Sequence, residues 1–328
     1  MEGRRLLMFT GKGGCGRSAL AAATALSAAR AGQRVLLAEA AVRPEHPGRL
    51  HALFGAPPLG SDPVHVAKGV WGVRIDADAA LRDYVLGKIR FQALYRAAFE
   101  RPSVRKTIAF FPGLRELMVL WRLRAFEQET SKRQRRWDLI VFDAPSTGFV
   151  LFLLQLPQVV VQILRTGVFA RDAAEIYALL SDPARTQILI VTIPEELPAL
   201  EARDFWQRLQ SLPSPASVGI VMNAVIENIR DVGPLPSPLA ARHDPALAAI
   251  EAAWGRDARA AVLYANRTLQ RAQEAVHRHL GMLRDTQAPL WIVPFVPPSP
   301  RGEAAQTALL ADAVRAAGLI TSVLEAPV

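Results

Sequence analysis

The sequence predicts an α/β protein with a doubly wound, mostly parallel sheet of seven or eight strands and an inserted helical subdomain. Three observations predict it. Short β-rich apolar runs alternate with helical patterns; apolar residues make up 51% of the 328-residue chain; and a glycine-rich turn sits between the first apolar run and an alanine-rich helix.

Strands are expected at Arg5 to Phe9, Arg34 to Leu37, Trp71 to Ile75, Asp138 to Phe142, Gln187 to Ile193, Val218 to Met222 and Leu290 to Pro294. Helices fill the gaps, with Ser18 to Arg30 after the first strand and Pro198 to Leu209 after the fifth. Asp244 and Pro245 read as N-cap and first-turn proline of one long helix that keeps an apolar period to Leu280, bent at Gly255. Between Ala80 and Arg136 the pattern is amphipathic and holds no good strand, and a second helical stretch covers Phe149 to Leu180. The organisation expected is therefore a core over residues 1–79, a helical insertion over 80–136, a core strand with its following loop over 137–148, more of the helical subdomain over 149–182, and the rest of the core over 183–328. Proline-rich loops fall at 211–215 and 233–238.

Composition narrows the function classes. Charged residues are 21% of the chain, which excludes a disordered or fibrous protein. One cysteine, Cys15, excludes a disulfide framework or a cysteine-only metal cage within one chain and suits a reducing cytoplasm. The net charge of +9 invites a nucleic-acid or anionic-membrane reading, but the arginines are scattered. The one dense run, Lys132, Arg133, Arg135 and Arg136, reads as a solvated helix end. No signal peptide is visible at the start of the sequence, and the oily stretch from Phe149 to Leu164 is interrupted by Gln155, Pro157, Gln158 and Gln162, too short for a span of about 20 apolar residues. The six histidines lack partners at ligand spacing and read as surface residues.

The chemistry concentrates in Gly11-Lys12-Gly13-Gly14-Cys15-Gly16-Arg17-Ser18. A strand, a glycine turn and a helix start bring backbone N–H groups and the positive end of a helix to one point, which suits a phosphate chain. A hydroxyl at Ser18 is placed to reach a magnesium ion. Asp143, just after Leu139-Ile-Val-Phe, lies where a nucleotide site in an open sheet expects a carboxylate.

This octapeptide resembles the deviant P-loop, GKGGxGK[ST], of the SIMIBI-type ATPases, and the chain is similar over nearly its whole length to their ArsA branch. That branch holds arsenite-pump ATPases, guided-entry ATPases for tail-anchored proteins, and bacterial relatives, to which the likeness is closest. Supporting stretches are Leu53-Phe-Gly-Ala-Pro-Pro, Asp143-Ala-Pro-Ser-Thr-Gly148, Val191 to Pro198, Asn223 and Val293-Pro-Phe-Val-Pro-Pro. The resemblance implies ATP and Mg²⁺ as ligands. Gly11 to Ser18 would form the ATP loop: Gly13, Gly14 and Gly16 wrap the phosphates, Cys15 is a small apolar filler, and Arg17 takes the lysine slot. Ser18 and Asp143 would hold the metal, Asn223 would face adenine near Pro294, and Lys12 would cross a two-fold interface to the partner's nucleotide. A homodimer, or a heterodimer with a related ATPase, follows from that role, in the cytoplasm or at the membrane periphery.

Three positions depart from the family's pattern. The P-loop lysine is Arg17, a planar guanidinium and not an equivalent point charge. Ala41 stands where an aspartate handles the attacking water, with Glu39 a displaced substitute, and Phe149 stands for the switch II histidine. A missing general base costs about 10²- to 10⁴-fold in rate. The expectation is a nucleotide-dependent dimeric switch with weak or lost hydrolysis that handles a protein or membrane-protein client. The alternatives are a competent ATPase of the same family and, from another class, a DNA- or membrane-surface-binding partitioning-type protein. With Cys15 alone, zinc clasping through CxxC and thiolate capture of arsenite are not expected. An apolar groove for a client would draw on Phe110, Phe111, Leu114, Leu117, Met118, Leu120 and Trp121 with Leu151 to Leu164, although such stripes more often pack as core.

Overall fold

The computed structural model describes residues 4–41, 48–88, 113–212, 217–226 and 244–324. Phe110, Phe111, Arg43, His46, His243 and the loop 233–238 lie outside the described residues, as does most of 211–215.

Eight strands form one sheet: β1 (Leu6–Gly11), β2 (Val35–Ala40), β3 (Val64–Ala67), β4 (Val70–Ile75), β7 (Leu139–Asp143), β8 (Thr186–Thr192), β9 (Ser217–Val225) and β10 (Leu290–Pro294). Their order is β10-β9-β8-β1-β7-β2-β4-β3, parallel throughout except for the antiparallel edge strand β3. The seven expected strands are all present, within a few residues of the expected bounds. The eighth, Val64–Ala67, has no apolar run to announce it, because it is an exposed edge strand.

Both faces of the sheet are covered, which explains why the strands read as unbroken apolar runs. Along β1 the side chains alternate: Leu6 and Met8 enter the core under one layer of helices, Leu7 and Phe9 the core under the other, and all four are buried. The second layer contains α1 (Arg17–Arg30), whose Ala21, Ala22, Ala23, Ala25 and Ala28 are buried. Those small side chains let the helix lie close to the sheet and to a C-terminal helix at Glu303–Ala316.

The opposite layer contains α2 (Ala77–Lys88), α3 (Leu114–Gln128), α4 (Thr147–Leu164), α5 (Val168–Ser181) and α6 (Glu196–Gln210). Leu117, Met118, Leu120 and Leu123 of α3 are core, and Leu114 and Trp121 pack against it. The expected apolar stripe is thus largely internal. On α4, Leu153, Leu154 and Leu156 are buried while Phe152, Val159, Ile163 and Leu164 are exposed. Among the described residues, this helix alone is long and apolar enough to cross a membrane by length and composition.

Three local expectations are corrected. The basic run at Lys132–Arg136 is not a helix end but the turn of a small hairpin, β5 (Thr130–Ser131) with β6 (Gln134–Arg135). Lys132 and Arg133 take φ of 51° and 65°, and Arg136 pairs with Glu129 at 2.6 Å. The long C-terminal helix is two, α7 (Pro245–Trp254) and α8 (Arg256–Arg284), because Gly255 at φ 87°, ψ 170° breaks the hydrogen-bond ladder. Its start is as expected: the Asp244 side chain accepts from the backbone N–H groups of Ala246 and Leu247. Finally, His279 is buried with Nδ1 unpartnered, not a surface residue.

Candidate functional site

The chain runs from β1 out to β2, β3 and β4 on one side, returns between β2 and β1 as β7, and continues on the far side as β8. Open α/β sheets place their ligands at the carboxyl ends of the strands where the order reverses, which here points to the ends of β1 and β7. Register puts Phe9 beside Asp143, so the glycine turn after β1 and the carboxylate ending β7 meet there.

The turn is built for an anion. Its last residue, Gly16, is the N-cap of α1 at φ 81°, ψ 19°, with no side-chain cap and no acidic residue in the first helical turn. The first N–H groups of α1 therefore have no competing carboxylate or hydroxyl cap. Gly13 and Gly14 are exposed, and a Cβ on either would meet nothing within 4 Å, so the turn opens outward. Cys15 points the other way into the core, where burial pushes its thiol up from its ordinary value.

Asn223, from β9, reaches back across the sheet: its Nδ2 donates to the Cys15 carbonyl at 3.0 Å. Asn223 thus braces the turn. Pro294 ends the neighbouring strand β10, in a stretch where the β9–β10 register shifts. Thr10 Oγ1 donates to the Pro145 carbonyl at 3.0 Å, tying the loop after Asp143 to the end of β1.

Asp143 is engaged on both oxygens by its neighbours. Arg17 Nε donates to Oδ1 at 2.8 Å and Ser18 Oγ donates to Oδ2 at 2.5 Å, while an Arg17 terminal nitrogen donates to the Gly11 carbonyl at 3.4 Å. The ion pair is largely buried, with side-chain exposures of 23% for Arg17 and 8% for Asp143. No spacing in the sequence announces it, because the partners are 126 residues apart.

Glu39 is Asp143's neighbour on β2, opposite Arg74 on β4. Its Oε2 accepts from the backbone N–H groups of Arg49 and Leu50 at 3.2 and 3.5 Å, and its Oε1 is buried without a hydrogen-bond partner. Burial first, and the nearby Asp143 carboxylate second, push Glu39 above the usual carboxylate range, against the pull of those amides and of Arg74. Ala41 and Phe149 meet in one cavity of about 100 Å³, also lined by Ala40, Arg115, Glu116 and Leu153. Lys12 lies on the outer side, its Nζ 2.7 Å from Glu201 of α6, with both side chains substantially exposed.

The sequence profile of the anion-transporting ATPase family matches residues 4–173, just over half of the chain and all of the turn, Asp143 and Phe149. The chain is 30% identical over 227 residues to the ATPase BagA of Mycobacterium tuberculosis, across 67% of this chain and 65% of that one. It is also 30% identical over 242 residues to a protein assigned as an arsenical pump-driving ATPase in Halobacterium salinarum, across 70% of this chain and 36% of that one. The chain thus spans less than two thirds of the length of these relatives.

Proposed function

The chain belongs to the ArsA-type anion-transporting ATPase family, and on that footing we propose that it is an ATP-binding dimeric switch whose hydrolysis is weak or lost. Family membership implies nucleotide use, and with it magnesium. The uncapped turn at Gly11 to Ser18, facing outward beside Asp143, supports the nucleotide part. Gly13, Gly14 and Gly16 would offer backbone amides to the phosphates, and Asn223 would keep the turn in shape through its bond to Cys15.

The observation that carries the weak or lost hydrolysis is the residue type at two positions: Ala41 and Phe149 stand where the family pattern has an aspartate and a histidine, and both line one cavity. A methyl group and a phenyl ring can neither take a proton from water nor orient it. Glu39 is a poor replacement: one oxygen is spent on the amides of Arg49 and Leu50, and the side chain is buried and not part of the lining of the cavity beside Ala41 and Phe149. The expected result with purified protein is phosphate release about 10²-fold or more below that of a family member with the aspartate, the ordinary loss for a missing base. Release at an ordinary rate would identify a competent ATPase instead.

Magnesium fits less well than nucleotide. Ser18 and Asp143 are the right types, and each keeps lone pairs for a metal or its water, but the Asp143 charge is already paired with the Arg17 guanidinium.

Lys12 is proposed to act across a dimer interface, in a homodimer or with a related ATPase, in the cytoplasm. Its bond to Glu201 joins two exposed side chains, worth at most about 1 kcal/mol, and exchanges readily for a phosphate contact. Mixing the chain with an intact relative and replacing Lys12 by Ala tests this role; unchanged ATPase in the relative refutes it. The client is proposed to be a protein or membrane protein with an apolar segment, received on the exposed Phe152, Val159, Ile163 and Leu164 of α4.

A further inference from the structure

We propose that the guanidinium of Arg17 stands in for the divalent cation, so that this site holds the phosphates of a nucleoside di- or triphosphate without magnesium. The inference rests on the reading of the glycine turn as a nucleotide site and specifies what that site takes. Two features carry it. The first is the pairing of the would-be metal carboxylate: Asp143 accepts from Arg17 Nε at 2.8 Å and from Ser18 Oγ at 2.5 Å, so the negative charge that would attract a metal is already met by a guanidinium. A divalent ion would have to displace a cation that is already paired, inside a site only 8% exposed at Asp143.

The second is what Arg17 has left. Of its five N–H donors, Nε is given to Asp143 and one terminal N–H to the Gly11 carbonyl. The remaining three have no hydrogen-bond partner among the described residues, and the side chain keeps 23% exposure beside the open turn. A planar fork with free donors, anchored by a buried carboxylate at the start of an uncapped helix, is suited to bridging two phosphate oxygens. A metal ion serves the same end by a different geometry. A lysine in this slot would keep the charge but lacks the fork, and one Asp143 oxygen would be released for metal-bound water.

The test is calorimetric titration of the full chain with ATP and with ADP, once in excess magnesium and once in EDTA. Wild-type affinity is expected to agree within about threefold between the two buffers, a difference small against the tenfold that 1.4 kcal/mol produces. Arg17→Lys, and as a second variant Arg17→Gln, are expected to bind at least about tenfold more weakly in EDTA than in magnesium, because each frees Asp143 Oδ1. A wild-type chain that loses tenfold or more in EDTA overturns the proposal and leaves the nucleotide site standing. Variants as indifferent to metal as the wild type overturn the assignment to the guanidinium. No heat with either nucleotide in either buffer, from a chain that circular dichroism shows to be folded, removes the nucleotide site and this inference together.

Discussion

Replacing Gly16 by Ala probes the coupling between the glycine turn and β9. Gly16 sits at φ 81°, ψ 19°, and an alanine held in that left-handed region costs about 1–2 kcal/mol. The new methyl carbon would also fall 2.4 Å from Nδ2 of Asn223, far inside contact distance. Asn223 can swing away only by releasing the Cys15 carbonyl, a hydrogen bond worth about 1 kcal/mol. Gly16→Ala should therefore destabilise by about 2–3 kcal/mol, read as a lower urea midpoint at unchanged slope. Asn223→Ala alone should cost about 1 kcal/mol for the same lost bond. Because the first change already breaks what the second removes, the double variant should be no less stable than Gly16→Ala within error, a coupling of about 1 kcal/mol. Strictly additive losses would refute the claim that the amide braces this turn, and a neutral Gly16→Ala would refute the turn's geometry.

Other outcomes follow from the same structure. Burial raises the Glu39 carboxyl, so the native chain binds its proton more tightly than the unfolded chain does. Its contribution to stability is greatest below the ordinary carboxylate range and falls as pH rises through the raised value, so Glu39→Gln should gain on the wild type from acidic to neutral pH; a pH-independent difference in urea midpoints would contradict this. Asp138 runs the opposite way: hydrogen bonds from Arg34 at 2.6 and 2.9 Å hold its carboxyl below the usual range. Its contribution is present above the ordinary value and lost as pH falls through the lowered one, so Asp138→Asn should flatten the acid limb of the stability profile. Glu127 is buried between Arg5 at 2.7 Å and Arg185 at 2.9 Å, and Glu127→Ala should cost about 1.5–3 kcal/mol in denaturant titration, the range for lost hydrogen bonds to a charged group. Tyr84 donates to the buried Asp172 at 2.6 Å, and Tyr84→Phe should cost about 1.5–3 kcal/mol, the range for a bond to a charged group, in the same titration.

How far the molecule was legible beforehand depended on the range of each interaction. The parallel strands were readable because burial on both faces demands continuous apolar runs, and Asp244 because a cap acts within three residues. The edge strand Val64–Ala67 was not, since an exposed strand needs no such run, and the hairpin at Thr130–Arg135 hid inside a basic stretch whose turn is set by two backbone angles. The sequence predicts only a bend at Gly255, because whether a glycine bends or ends a helix depends on its φ and ψ, which composition does not fix.

By itself the sequence determined the glycine turn, its place between β1 and α1, and the residues that depart from the family's pattern, because each is a matter of residue type at a fixed local spacing. The tertiary structure decided who touches whom: that Arg17 and Ser18 both bond Asp143, that Asn223 holds the turn from β9, that Glu39 is turned onto the amides of Arg49 and Leu50, and that Ala41 and Phe149 share one cavity. Those contacts join groups brought together by the crossing of strands, often more than a hundred residues apart, and a charge or a hydroxyl carries no mark in the chain of the partner that folding will set beside it.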